Sequence, residues 1–181
     1  MIIDAVVRPM KVHATRSVTR GGEVLAVLFE EVYERHLSDV FRYALVLTRD
    51  HDDADDVTSE TFARALRAWR GGTEPDGPAL PWLLAIARNI AADRWRKARR
   101  ILARPSEPTS PSDTARLEAW MWLQSVVAIL PGRQREVLAL RYHRELSDAD
   151  IGAVMGLSES GVRSLASRAI ETLRKHPEVW R

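Results

Sequence analysis

Apolar residues fall on a helical beat through nearly the whole chain. In EVLAVLFEEVYERHLSDVFRYALVLTRD (23–50) they sit at Leu25, Leu28, Phe29 and Val32, then at Leu37, Val40, Phe41, Ala44 and Leu47. Steps of three and four predict one amphipathic helix or a kinked pair. DDADDVTSETFARALRAWR (52–70) repeats the beat through Val57, Thr61, Phe62, Ala65, Leu66 and Trp69, with acids crowding its first turn. GGTEPDGPALP (71–81) is a loop on composition. A third helix is expected from about Pro81, a residue suited to a first turn, to about Arg100. Leu84, Ala87, Ala91 and Trp95 share one of its faces. That places Trp95 in the core, with stacking on a base as its other use.

The beat then stops. ARPSEPTSPSDTA (103–115) has proline at 105, 108 and 111 with Ser and Thr between, the composition of an extended tether. A linker of this length reaches on the order of 50 Å at roughly 3.3 Å per residue. Helical patterning resumes in RLEAWMWLQSVVAIL (116–130), closed by Pro131-Gly132, and continues in RQREVLALRYH (133–143) and LSDADIGAVMGLSESGVRSLASRAIETLRK (146–175). The expected fold is all-α. It comprises an extension over 1–23, a helical bundle over 24–100, a linker over 101–114 and a second helical domain over 115–177.

The last segment carries the most specific signal. Ser147 with Asp150 three residues on is a capping-box start. Gly156 ends that helix after barely two turns, and Ser158 caps the next. Two helices joined by a tight glycine turn describe a helix-turn-helix. Small Gly152 stands where the backbone must be approached closely, and Ile151, Met155, Leu157, Val162 and Leu165 fall on a shared core. The outward residues are then Glu159, Ser160, Arg163, Ser164, Ser167 and Arg168. Short hydroxyls and arginines near a helix N-terminus suit a major groove. A plain helical hairpin would show the same apolar steps, but not the small residue at 152 or the basic outward face.

Charge changes the picture of the first domain. The 181 residues carry a formal charge of only +2, yet the charge is segregated. Residues 50–60 hold six acids and neither Lys nor Arg, whereas 82–104 hold seven bases against Asp93 alone. Two or three cations at a helix end would suit its dipole; seven suit phosphates better. Asn89 and Asp93, four apart, read either as an intrahelical pair or as part of a base-reading pocket. For the acidic run three readings compete: helix-dipole stabilisation, a divalent metal site, and a docking face for a basic protein. Consecutive helical residues point around the helix, so metal is the weakest of the three.

Other chemistry finds no support. With no cysteine there is no disulfide, thiolate metal site or cysteine switch, which suits a cytoplasmic protein. His13, His36, His51, His143 and His176 lack ligand spacing, GLSES lacks the second glycine of a nucleophile elbow, and no P-loop is present. No catalytic residue, metal or cofactor is expected. The short apolar start broken by Asp4 is no signal peptide, and no apolar run approaches the roughly 18 residues that would insert in a membrane.

Three segments together resemble a bacterial RNA polymerase sigma factor of the extracytoplasmic-function type. They are YERHLSDVFRYALVLTRDHDDADDVTSETFARALRAW, PWLLAIARNIAADRWRKARR and LPGRQREVLALRYHRELSDADIGAVMGLSESGVRSLASRAIETLR, in the family's order over about residues 25–175. The resemblance implies a two-domain initiation subunit without catalytic activity of its own. It implies that Asp55, Asp56 and Glu60 dock on the β′ clamp helices of core polymerase. Arg88, Asn89, Asp93, Arg94, Arg96, Lys97, Arg99 and Arg100 would hold and open the −10 element, as duplex and then as single strand. Ser158, Ser160, Arg163, Ser164, Ser167 and Arg168 would read the −35 element. An anti-sigma factor is the implied protein partner. Leu165 and Ile170 stand where the family often has arginine, which leaves this recognition helix less basic. The rival readings are a free-standing helix-turn-helix regulator, which would dimerise on a palindrome, and a metal-dependent nuclease built on the acidic run.

Overall fold

The structure, a computed structural model, describes the backbone of residues 21–100, 129–142 and 146–176, and side chains within these from 28 to 97 and from 129 onward. Among the described residues there are six helices and no strand: α1 (Gly21–Thr48), α2 (His51–Arg70), α3 (Ala79–Arg100), α4 (Gly132–Tyr142), α5 (Asp148–Met155) and α6 (Glu159–Arg174). The all-α expectation holds. Helix α1 is one continuous helix rather than a kinked pair, and it begins at Gly21, inside the span assigned to the extension. Residues 1–20, the linker and most of the 116–130 segment lie outside the described residues.

Helices α1 to α3 form a bundle whose directions follow from its contacts. Phe29 meets Trp69, Tyr33 meets Phe62 and Phe41 meets His51, all edge to face, so α1 and α2 run antiparallel. Trp69 lies against Trp82 at one end of the α2–α3 pair, and Arg94 reaches Asp53 and Asp56 at the other. The expected apolar faces are largely the buried ones. Phe29, Val40, Ala44, Val57, Phe62, Ala65, Leu84 and Ala87 lie in the core, while Leu28 faces outward. Buried Thr58 and Thr61 satisfy their hydroxyls on the carbonyls of Ala54 and Val57, at 2.7 and 2.6 Å. The turn into α2 is compact: Arg49 takes a left-handed φ of 63°, and Asp50 caps α2 by accepting from Asp53 N at 2.9 Å.

Helices α4 to α6 form the second unit, and here local chemistry alone sets the geometry. Ser147 and Asp150 make the reciprocal capping box at the start of α5. Gly156 then adopts φ 65°, a conformation that strains any residue with a Cβ, and ends the helix. A Cβ on Gly152 would stand 2.6 Å from the carbonyl oxygen of Leu157. The close approach expected at 152 is therefore to the turn's own backbone. Ser158 caps α6 through Gly161 N. Ile151, Met155 and Val162 are buried, with Leu157 and Leu165 packed at the edge of the same core.

The two units touch: α1 packs on α4, and α3 packs on α5.

Candidate nucleic-acid and polymerase interface

Acid and base meet at the open end of the first bundle. Asp55 and Asp56 are exposed on the first turns of α2 and Glu60 is half-buried one turn on. Asp55 lies 3.5 Å from His51 Nδ1, and Glu60 accepts from Arg64 Nε at 3.0 Å. Asp56 accepts from Arg94 at 2.7 Å, and Asp53 accepts from the same guanidinium at 3.0 Å. Partial burial works against the Arg94 charge, but these two carboxylates outweigh it and raise its pKa above the ordinary value. The acidic and basic stretches are thus one continuous surface, riveted by Arg94.

Beyond Arg94 the basic helix outruns the bundle. Trp95 is 61% exposed, which corrects its placement in the core. The reason is geometric: Arg94 is already level with the first turns of α2, which puts the next residue at the end of that helix pair. Arg96 and Lys97 are exposed beside it, and Asp93 pairs with Arg96 one turn on. Asn89 is exposed, and the Asp93 carboxylate is held by Arg96 rather than by Asn89. The side chains of Arg99 and Arg100 lie outside the described residues.

Arg88 is the exception among the bases. It is partly buried and donates through Nε to Oε1 of Glu136 on α4, at 2.5 Å. The sequence reading missed Glu136. Its only signal was a carboxylate directly before the apolar run Val137-Leu138, on a helix otherwise read for its apolar face.

On the second unit α6 presents Glu159, Ser160, Arg163, Ser164, Ser167 and Arg168 to the outside, as its periodicity predicts. Arg163 lies 3.5 Å from both Asp148 and Glu159, and Arg168 donates to the Ser164 carbonyl at 3.3 Å. Ser158 is exposed, but its hydroxyl is committed to the cap and lies 3.1 Å from that of Ser160. This geometry can offer two arginines and the three hydroxyls of Ser160, Ser164 and Ser167 to one groove. No group of three or more metal-ligating side chains occurs among the described residues.

Comparison with known proteins accounts for both units. Residues 32–101 match Sigma-70 region 2, and residues 126–175 match Sigma-70 region 4. The ECF RNA polymerase sigma factor SigL of Mycobacterium tuberculosis is 33% identical over 170 residues, covering 87% of this chain and 93% of SigL. The ECF sigma factor BldN of Streptomyces coelicolor is 32% identical over 86% of this chain, which spans 62% of BldN's length. Among solved structures, CnrH in complex with the cytosolic domain of CnrY superposes with a TM-score of 0.64 at 28% identity, covering 84% of this chain and 94% of that one. The chain belongs to the ECF family of RNA polymerase sigma factors.

Proposed function

We propose that this sigma factor docks on the β′ clamp helices of core RNA polymerase through Asp55, Asp56 and Glu60. Binding core polymerase and directing promoter-specific initiation is the family's function; the assignment of residues to each step is the reading argued here. In it, Arg94, Arg96, Lys97, Arg99 and Arg100 track the phosphates of the opened −10 element, with Arg88, Asn89 and Asp93 along the same helix. Trp95, exposed among them, offers a stacking face to an unstacked base. Ser160, Arg163, Ser164, Ser167 and Arg168 enter the major groove at −35, while Ser158 fixes the start of their helix.

The observation that carries this reading is the continuous surface at the end of the first bundle. A docking acid, Asp56, and a DNA-facing base, Arg94, share one hydrogen bond there, so polymerase and promoter are brought to adjoining faces of one rigid corner. No covalent step is asked of the chain. Binding energy spread over duplex and single strand favours melting, and polymerase performs the chemistry. We place the protein in the cytoplasm with polymerase; among the described residues no helix is long and apolar enough to cross a membrane. An anti-sigma factor is the proposed regulator. CnrH, solved with a partner's cytosolic domain, supports capture of this architecture by a second protein.

The test is co-elution of the purified chain with bacterial core polymerase, wild type beside Asp56→Arg/Glu60→Arg. Co-elution lost only in the variant supports the docking assignment. A wild-type chain that elutes alone overturns it.

A further inference from the structure

One carboxylate links all three described helices of the second unit. Asp148, in the first turn of α5, accepts through Oδ1 from Arg141 Nη2 on α4, and its Oδ2 lies 3.5 Å from Arg163 Nη1 on α6. The Asp148 side chain is only 20% exposed, and the close hydrogen bond from Arg141 fixes where its second oxygen stands. The Arg163 side chain, 57% exposed, projects from the outward face of α6. An ion pair this exposed contributes little to stability. What it sets is the direction of the guanidinium.

That direction matters because of which atom is held. Asp148 and Glu159 both address Nη1, each at 3.5 Å. A guanidinium carries five N–H donors in a planar fork. With Nη1 given to the two acids, the edge formed by Nη2 and Nε remains for a ligand. Paired donors on that edge match paired acceptors, and in the major groove guanine supplies them as O6 and N7. Arg168, the other arginine of this face, presents no such edge, because its Nε donates to the Ser164 carbonyl at 3.3 Å. The hydroxyls of Ser160, Ser164 and Ser167 suit more than one base. Arg163 therefore carries the sharpest discrimination on α6.

We propose that Asp148 is a positioning residue for base reading: anchored by Arg141, it holds Nη1 of Arg163 so that the Nη2–Nε edge meets a guanine of the −35 element. The proposal rests on the reading of α6 as the −35 helix and adds the base that its second turn selects. The acid also acts against wrong contacts. A phosphate drawn to Arg163 meets the negative charge of Asp148 beside it, which penalises backbone binding that lacks the base.

The experiment uses holoenzyme made from the full chain and core polymerase, with a pool of duplexes randomised through the promoter region and sequenced before and after binding. Wild type should select guanine at one upstream position, and Arg163→Ala should erase that preference. Asp148→Asn keeps the side chain's shape and removes its charge. It should cut the guanine preference at that position alone by about tenfold, within the range a bidentate base contact supplies, without weakening binding to the unselected pool. Glu159→Gln, which removes a carboxylate with no anchor on another described helix, should relax the preference much less. In an Arg163→Lys background, which has no fork to orient, Asp148→Asn should change nothing further. Full guanine preference in Asp148→Asn overturns the positioning role, and so does an equal loss in Glu159→Gln, which would make charge alone the cause. A loss spread over the other −35 positions, or persisting in the Arg163→Lys background, assigns Asp148 to the fold of the unit and overturns the proposal too. If Arg163→Ala weakens binding to every duplex without altering base preference, Arg163 contacts phosphate and the guanine assignment fails. If Arg163→Ala alters neither, the failure lies in the reading of α6 itself.

Discussion

Helices α3 and α6 both carry arginines, and they differ in how closely carboxylates hold them. Among the described side chains of α3 the guanidinium groups are taken up by carboxylates, some from other helices: Arg88 by Glu136, Arg94 by Asp53 and Asp56, Arg96 by Asp93. On α6 Arg163 rests at 3.5 Å from Asp148 and Glu159, and Arg168 leans on its own helix. Under the proposed assignment, DNA reaching α3 must displace carboxylates held at hydrogen-bond distance, whereas at α6 it meets Arg163 in longer pairs, at 3.5 Å from Asp148 and Glu159.

The largest expected effect lies at the acids proposed to dock on polymerase. Asp56→Arg with Glu60→Arg should weaken polymerase binding roughly hundredfold or more, since charge-paired interface contacts carry several kcal/mol. Arg94→Ala, which loses the same internal bridge without reversing the acidic face, should keep most of the affinity in a co-elution titration. Equal loss in both variants would mean that the bridge, rather than the acids, matters to polymerase.

Next in size is the second unit's dependence on its turn. Gly152→Ala drives a methyl against the Leu157 carbonyl and should destabilise that unit by about 1–3 kcal/mol. Duplex −35 binding should fall while polymerase docking through the first unit persists. Thermal melting by circular dichroism with a duplex-binding assay separates these.

Removing Arg96 and Lys97 together should lower the salt slope of promoter-complex formation by about 1.5, at roughly 0.7–0.9 per phosphate contact. An unaltered slope would end the phosphate assignment of this part of α3. Ser147→Ala, which breaks the capping box, should cost about 1 kcal/mol and shift the melting of the second unit without touching the first.

The smallest effect concerns pH. Burial, then the charge of Glu136 and its hydrogen bond, push the Tyr43 hydroxyl well above its ordinary value, with Arg88 opposing. An acid whose pKa is raised on folding contributes stability that is complete below its unfolded value, about 10, and is lost as pH rises through the folded one. Compactness should therefore show no Tyr43-dependent change with pH near neutrality, where its contribution is complete, and a loss only above about pH 10, absent in Tyr43→Phe. Scattering measured across an alkaline series checks it.

Much of the fold was legible because its determinants are local. The capping serines, the left-handed Gly156 and the spacing of Ile151, Met155 and Val162 act within a few residues of one another, so the helix-turn-helix could be read in outline. The outward set on α6 followed from the same periodicity. Trp95 was misplaced because periodicity says which face a residue shares but not where the neighbouring helix ends. Glu136 went unread for a related reason: its partners, Tyr43 and Arg88, lie 93 and 48 residues away, and no local pattern pairs them.

Sequence by itself thus determined the helices, their caps, the segregation of acid from base and the sigma-factor resemblance, all properties of near neighbours in the chain. Tertiary structure alone decided that Arg94 joins the acids of α2 to the basic helix, that Trp95 is largely exposed and that Glu136 pairs with Tyr43 and Arg88 across the two units. These depend on where helix ends meet in space. That is set by packing between segments far apart in sequence, where the burial of one carboxylate can change what a distant arginine is able to bind.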